Sequence, residues 1–116
     1  MATGTYNITI EKGITFDVSI TLKDNNNVAI NVSNYTFKSE IRRKPETGLE
    51  KAFTVTKTNA SGGVIELSMT KTDTQALPKG TLIYDLVANT GSGNKIIRIL
   101  TGTVTVIESV TDTSNL

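Results

Sequence analysis

Residues 14–34, ITFDVSITLKDNNNVAINVSN, restrict what this chain can fold into more than any other stretch. Phe16, Val18, Ile20 and Leu22 alternate with Asp17, Ser19, Thr21 and Lys23. A period of two puts successive side chains on opposite faces of an extended strand, so one face is apolar and the other wet. Lys23-Asp24-Asn25-Asn26-Asn27 then supplies turn chemistry, and Val28-Ala29-Ile30 resumes an apolar segment. A half-buried strand needs a covering layer, and the remaining sequence reads as that layer.

The same alternation recurs. Tyr6, Ile8 and Ile10 share a face before the Glu11-Lys12-Gly13 turn, so the first two strands are expected to form a hairpin or to cross between sheets. Over residues 35–43, Tyr35, Phe37 and Ile41 line one side, and Lys38, Glu40 and Arg42 form a charged opposite face. A loop at 44–48 is expected as an exposed tip. Phe53 and Val55 point inward from 51–57, as do Ile65, Leu67 and Met69 from 64–70. The two segments read as a hairpin across the flexible turn at 58–63. Thr72-Asp73-Thr74-Gln75 fits a capping box with Thr72 as N-cap, which allows at most one short helical turn near residues 72–77 before Pro78-Lys79-Gly80 ends it.

Residues 80–89 carry Leu82, Tyr84, Leu86 and Ala88 on one face and Ile83 and Val87 on the other, the pattern of a central strand or one with a covered outer face. Tyr84 reads equally as a core aromatic or as a tyrosine corner whose hydroxyl bonds a backbone group. The last strand, 95–107, changes phase between Ile97 and Ile99 and the later set Leu100, Val104 and Val106. A bulge or crossover near Leu100-Thr101-Gly102 explains the switch. Some seven or eight short strands with almost no helix predict an all-β chain, an antiparallel two-sheet β-sandwich of immunoglobulin-like architecture, with a small barrel as the alternative. One domain is expected over residues 1–116, with 1–4 and 109–116 as flexible or partner-held arms.

The inventory of reactive groups excludes whole function classes. There is no Cys and no His, which removes disulfides, thiolate and imidazole metal sites and hydrolytic triads. An enzyme is not expected, nor any cofactor. The carboxylates Glu11, Asp17, Glu40, Glu66 and Asp85 are scattered on outward strand faces, and Asp85 reads as a hydrogen-bonded structural group rather than half of a glycosidase pair. Asp24-Asn25-Asn26-Asn27 offers oxygen ligands but lacks the Gly and distal Glu of a calcium loop, so it reads as an Asx-type turn. Lys plus Arg is 12 against 11 Asp plus Glu, a formal charge of +1. That balance exerts no long-range pull on nucleic acid, and Arg42-Arg43-Lys44 lacks the stacking aromatics of a single-strand binder. No nucleic-acid, membrane or small-molecule partner is expected. The N-terminus has no basic start followed by an apolar run, and no apolar stretch approaches the ~20 residues of a membrane span. Synthesis in a cytosol is therefore expected, and Asn-x-Ser/Thr matches such as Asn31-Val32-Ser33 are discounted as glycosylation sites.

An ordered set of stretches carries a resemblance. They are Tyr6-Asn7-Ile8-Thr9-Ile10-Glu11-Lys12-Gly13-Ile14-Thr15-Phe16, Leu22-Lys23-Asp24-Asn25, Asn34-Tyr35-Thr36 leading to Ile41-Arg42, Gly63-Val64-Ile65-Glu66-Leu67, the turn at 72–77, Tyr84-Asp85-Leu86, and 98–106 with Gly102-Thr103-Val104. The set resembles small virion structural proteins of tailed phages and is similar to the N-terminal domain of phage baseplate upper proteins. In that family the domain anchors to the baseplate while a long C-terminal extension holds receptor-binding parts. A copy without the extension implies a small baseplate, neck or fibre-attachment piece, or a capsid decoration protein. The resemblance implies other virion proteins as partners, a homo-oligomer in the particle, assembly in the host cytoplasm and no catalytic residues. For such a role the expected interface is the covered face around Ile83, Val87, Ile97 and Ile99. The alternative from another class is a carbohydrate-binding module for host glycans. The chain lacks Trp for an aromatic platform, and Tyr6, Tyr35 and Tyr84 read as core.

Overall fold

The computed structural model describes residues 4–44, 48–91, 93 and 95–113. The strands are β1 (Gly4–Thr5), β2 (Ile8–Glu11), β3 (Phe16–Thr21), β4 (Thr36–Arg42), β5 (Leu49–Asn59), β6 (Val64–Met69), β7 (Gly80–Asn89) and β8 (Ile96–Ile107), with one helix, α1 (Lys71–Ala76), between β6 and β7. The chain is nearly all-β, as the alternation dictates. The tip expected at 44–48 falls partly on 45–47, and the expected arms partly on 1–3 and 114–116, all outside the described residues.

The strands lie in the order β1-β8-β7-β4-β5-β6-β3, with β2 also on β8. The joint is β5. Its first part pairs with β4 from Arg42↔Leu49 to Ser39↔Phe53, and its second part pairs with β6 from Thr54↔Ser68 to Asn59↔Val64. One strand therefore serves two groups of neighbours, and the result is a single curled open sheet where two separate stacked sheets were expected. Nothing in the alternation of β5 announces the change of partner, because both halves bury the same face. The core lies inside the curl and includes Ile10, Ile41, Ile65, Leu67, Leu86 and Val104, each almost fully buried.

The N-terminal segment corrects the expectation of a wholly antiparallel sheet. β1 and β2 run parallel to β8, from Gly4↔Leu100 through Ile8↔Val104 to Glu11↔Ile107. Parallel neighbours need a long crossover and no shared turn, so no local signal announces them. The strand is interrupted at Tyr6-Asn7, where Asn7 Oδ1 accepts the Thr103 N–H at 3.1 Å. Tyr6 leaves the alternation there and is 42% exposed instead of sharing the buried face of Ile8 and Ile10.

Helix α1 also starts two residues earlier than the capping box implied. Thr70, not Thr72, is the N-cap, and its hydroxyl accepts the Asp73 N–H at 3.3 Å. Thr74 is fully buried; its hydroxyl accepts the Gly13 N–H at 3.1 Å and lies 3.0 Å from the carbonyls of Ile14 and Lys71, between which its single proton is shared. Thr113 in turn donates to the Gly13 carbonyl at 2.6 Å, so the turn after β2, the helix and the last described residue form one knot.

The phase change in β8 is a bulge. Leu86 pairs with Leu100 but Val87 pairs with Arg98, leaving Ile99 as the extra residue, just before the expected position. Beyond it Tyr84 faces Gly102. The Tyr84 hydroxyl reaches over the glycine and donates to the Tyr6 carbonyl at 2.6 Å, so Tyr84 ties a side chain to the backbone as the corner reading required. Its ring packs edge-on against Phe53 at 5.8 Å, and Phe53 against Phe16 at 5.6 Å. Burial, then the neighbouring Tyr6, pushes the Tyr84 hydroxyl up to about 12.

Gly102 has no room for a side chain: a Cβ there would run into the Tyr6 carbonyl. Gly102→Ala should cost about 2–4 kcal/mol in urea unfolding, whereas Gly48→Ala, which meets nothing, should stay within about 1 kcal/mol. Tyr84→Phe should cost about 1–2 kcal/mol through the lost hydrogen bond. Because the folded hydroxyl titrates above its unfolded value, its contribution is complete below about pH 10 and is lost as pH rises toward about 12. The phenolate absorbance difference between wild type and Tyr84→Phe should appear in that window.

Candidate docking surface

The outer face of β4, β7 and β8 is the face that turns from the core. Directly paired residues share a face. Lys38, Val87 and Arg98 therefore form one row across the three strands, Glu40, Asp85 and Thr101 the next, and Arg42, Ile83 and Thr103 the third. Two acidic groups facing each other across strands repel, and the flanking rows supply the cations that offset this. Glu40 bonds Arg42 at 2.6 Å and meets Lys38 at 3.4 Å; Arg98 meets Asp85 at 3.4 Å. The Arg42 hydrogen bond, against an opposing effect of burial and with help from Lys38, holds the Glu40 carboxyl below its usual range. A glycosidase acid needs the opposite shift, so Glu40 does not suit that role. The rows frame a shallow recess lined by Glu40, Arg42, Ile83, Asp85, Arg98 and Thr101.

The four interface candidates do not share one face. Ile83 and Val87 are half-buried on the outer face beside the charged rows. Ile97 pairs with Ala88, whose side chain is buried, and packs against the core. Ile99, lifted by the bulge, is 4% exposed within the core. The outward residue that the alternation missed is Ile96, paired with Asn89 and 62% exposed. Its signal was present in the phase change, which the one-residue bulge converts into Ile96 out and Ile97 in.

The remaining candidates are spent on local structure. Asp24 Oδ1 accepts the backbone N–H groups of Asn26 at 2.8 Å and Val28 at 3.0 Å, with Asn27 at φ +64°, which is an Asx turn. Among the described residues no group of three His, Cys, Asp or Glu side chains is placed to hold a metal ion. Glu11, Asp17 and Glu66 lie on β2, β3 and β6, away from the Glu40–Asp85 rows. Tyr35 packs against Phe37 with the rings tilted and their centroids 5.9 Å apart, and Tyr84 is buried, which leaves Tyr6 as the exposed tyrosine.

Comparison with known proteins returns likeness of fold alone. No family and no curated protein matches the sequence. Among solved structures, 137 chains match. One of them is the "N-terminal domain of phage TP901-1 ORF48", at TM-score 0.54 and 12% identity, over 89% of this chain and 84% of that one.

The two faces predict different responses to charge. Ile97→Lys should cost about 2–3 kcal/mol, because it carries an ammonium toward the core. Val87→Glu sets a carboxylate between Lys38 and Arg98 and should stay within about 1 kcal/mol of wild type. Urea titration of both variants checks the assignment of faces.

Proposed function

We propose that this chain is a non-enzymatic structural component of a tailed-phage virion, a tail, baseplate or fibre-attachment piece that works by docking and self-association. The observation that carries the reading is the backbone match to the phage domain across nearly the whole of both chains, at an identity too low to reflect anything but architecture. The sequence resemblance to baseplate upper proteins points the same way. So does an inventory without His or Cys, which suits a part that assembles in a reducing cytosol and needs no catalytic group.

The physics of the outer face of β4-β7-β8 supports docking through it. The charged rows are already neutralised within the sheet, so a partner covering them desolvates paired rather than isolated ions. Val87 and Ile96 supply apolar area at one end of the rows and Ile83 at the other. Complementary rows on a partner would fix its orientation more than its affinity.

Antibodies raised against the purified chain should label particles released by cells that carry its gene, at the tail end. Label on the capsid would favour a decoration protein, and absence of the chain from purified particles would overturn the proposal. In the same system Val87→Glu should fold normally yet enter particles at about a tenth of the wild-type level or less, the loss expected when a buried interface residue becomes charged.

A further inference from the structure

The geometry points to the free edge of β3 as a self-pairing strand: two copies of the chain join antiparallel through Phe16–Thr21, about a two-fold axis at Ser19. The inference rests on the self-association part of the reading above and names the surface that performs it.

β3 ends the strand order, hydrogen-bonded to β6 on one side and, among the described residues, to no strand on the other. Which of its backbone groups face outward follows from the hydrogen bonds at its end. The Leu22 N–H donates to the Gly63 carbonyl, and the Leu22 carbonyl accepts the Ile30 N–H, so Leu22 directs both groups toward the β6 side. Peptide groups alternate along a strand. Phe16, Val18 and Ile20 therefore face β6, and the N–H and C=O groups of Asp17, Ser19 and Thr21 line the open edge.

Apart from the charge of Asp17, that edge lacks the devices that keep edge strands apart. It has no Pro, Lys or Gly, and its register with β6 runs without a shift from Phe16↔Met69 to Thr21↔Val64. The opposite edge is interrupted. There the N-terminal strand breaks at Tyr6-Asn7 into two short pieces, Gly4–Thr5 and Ile8–Glu11.

The sequence of the edge is complementary to itself. With the axis at Ser19, Asp17 lies opposite Thr21 of the second copy and Val18 opposite its Ile20. Every outward group of Asp17, Ser19 and Thr21 then finds a partner, and the polar and apolar faces continue across the junction. Asp17 is the one charged residue of the strand, and this register keeps the two copies of it apart. An axis two residues earlier would set Asp17 against Asp17. On the inner face the half-buried Phe16, Val18 and Ile20 lie opposite Leu22, Ile20 and Val18 of the second copy, which extends the apolar layer where the curled sheet stops. One strand pair buries little area, so the contact is weak in isolation and is multiplied where copies are held together.

The test is amide hydrogen exchange of the full, 15N-labelled chain by NMR in dilute and concentrated solution, beside light scattering on the same samples. Protection at Asp17, Ser19 and Thr21 should rise about tenfold or more with concentration, while Phe16, Val18 and Ile20, already bonded to β6, stay protected throughout. Ser19→Lys brings two ammonium groups together at the axis on the exposed face. It should abolish both the rise in mass and the rise in protection, with an unchanged circular dichroism spectrum and melting temperature. A dimer whose exchange at Asp17, Ser19 and Thr21 ignores concentration, or one that survives Ser19→Lys, overturns the edge assignment and leaves self-association standing through another surface. A chain that stays monomeric at every concentration overturns the assignment and self-association together, whereas particle labelling reports on the virion role independently.

Discussion

The missing Cβ of Gly102 governs how the two ends of the chain meet. β8 is the last strand, and the first strand can lie against it only if the Tyr6 carbonyl occupies the space a side chain would fill. Tyr84, opposite the glycine, converts the near approach into a bond by donating its hydroxyl to that carbonyl. With the N-terminal strand in place, β2 delivers Gly13 to the buried Thr74 hydroxyl, and Thr113 closes on the same turn. The helix, the turn and the tail are thus placed by a contact far from them in sequence. Such contacts form late and close long loops, which is why the parallel end of the sheet depends on specific atoms rather than on pattern.

What could be read from the sequence follows the same division. β7 was legible to the residue as Gly80–Asn89, because alternation, the Pro78-Lys79-Gly80 stop and the loop after Asn89 agree. The inward set of β6 and the bulge in β8 were legible for the same reason: period two and its failure are local properties. Illegible were the features set by partners. The change of neighbour along β5, the parallel docking of β1 and β2, and the exit of Tyr6 from the core depend on which strand lies alongside, and a single strand's pattern is the same for each choice. The helix cap was missed by two residues because Thr70 and Thr72 are both acceptable caps, each with a capping-box partner three residues on, Asp73 or Gln75.

The candidate surface was half legible. Lys38, Glu40 and Arg42 announced a charged face on β4, and Asp85 stood out in an apolar strand, yet nothing in the sequence says that Glu40 and Asp85 face each other or that Arg98 arrives beside them. The bulge at Ile99 controls this as well. By adding one residue to β8 it turns Ile96 and Arg98 to the outside and Ile97 to the inside, so the four interface candidates, Ile83 and Val87 on β7 and Ile97 and Ile99 on β8, divide between two faces. A low sequence identity to the phage domain is compatible with a common backbone on these terms, since patterning and a few close approaches fix the strand order while most outward residues remain free to vary.

An open curled sheet differs from a closed barrel in one physical respect that bears on function: it keeps its edges. Closure pairs every strand with two neighbours, whereas an open path leaves one strand at each end with backbone groups directed at solvent. In this chain the two ends differ, one broken into two short pieces, the other straight with a single charge, Asp17. Surface ion pairs of the kind on the outer face contribute little stability, so the rows of Lys38, Glu40 and Arg42 are poorly explained as a device for holding the fold together. In the proposed function they act as a pattern to be matched. A face that sets orientation and an edge that supplies backbone hydrogen bonds are complementary ways of joining β-domains, so the proposed docking face and the proposed self-pairing edge are compatible: each constrains a degree of freedom that the other leaves open.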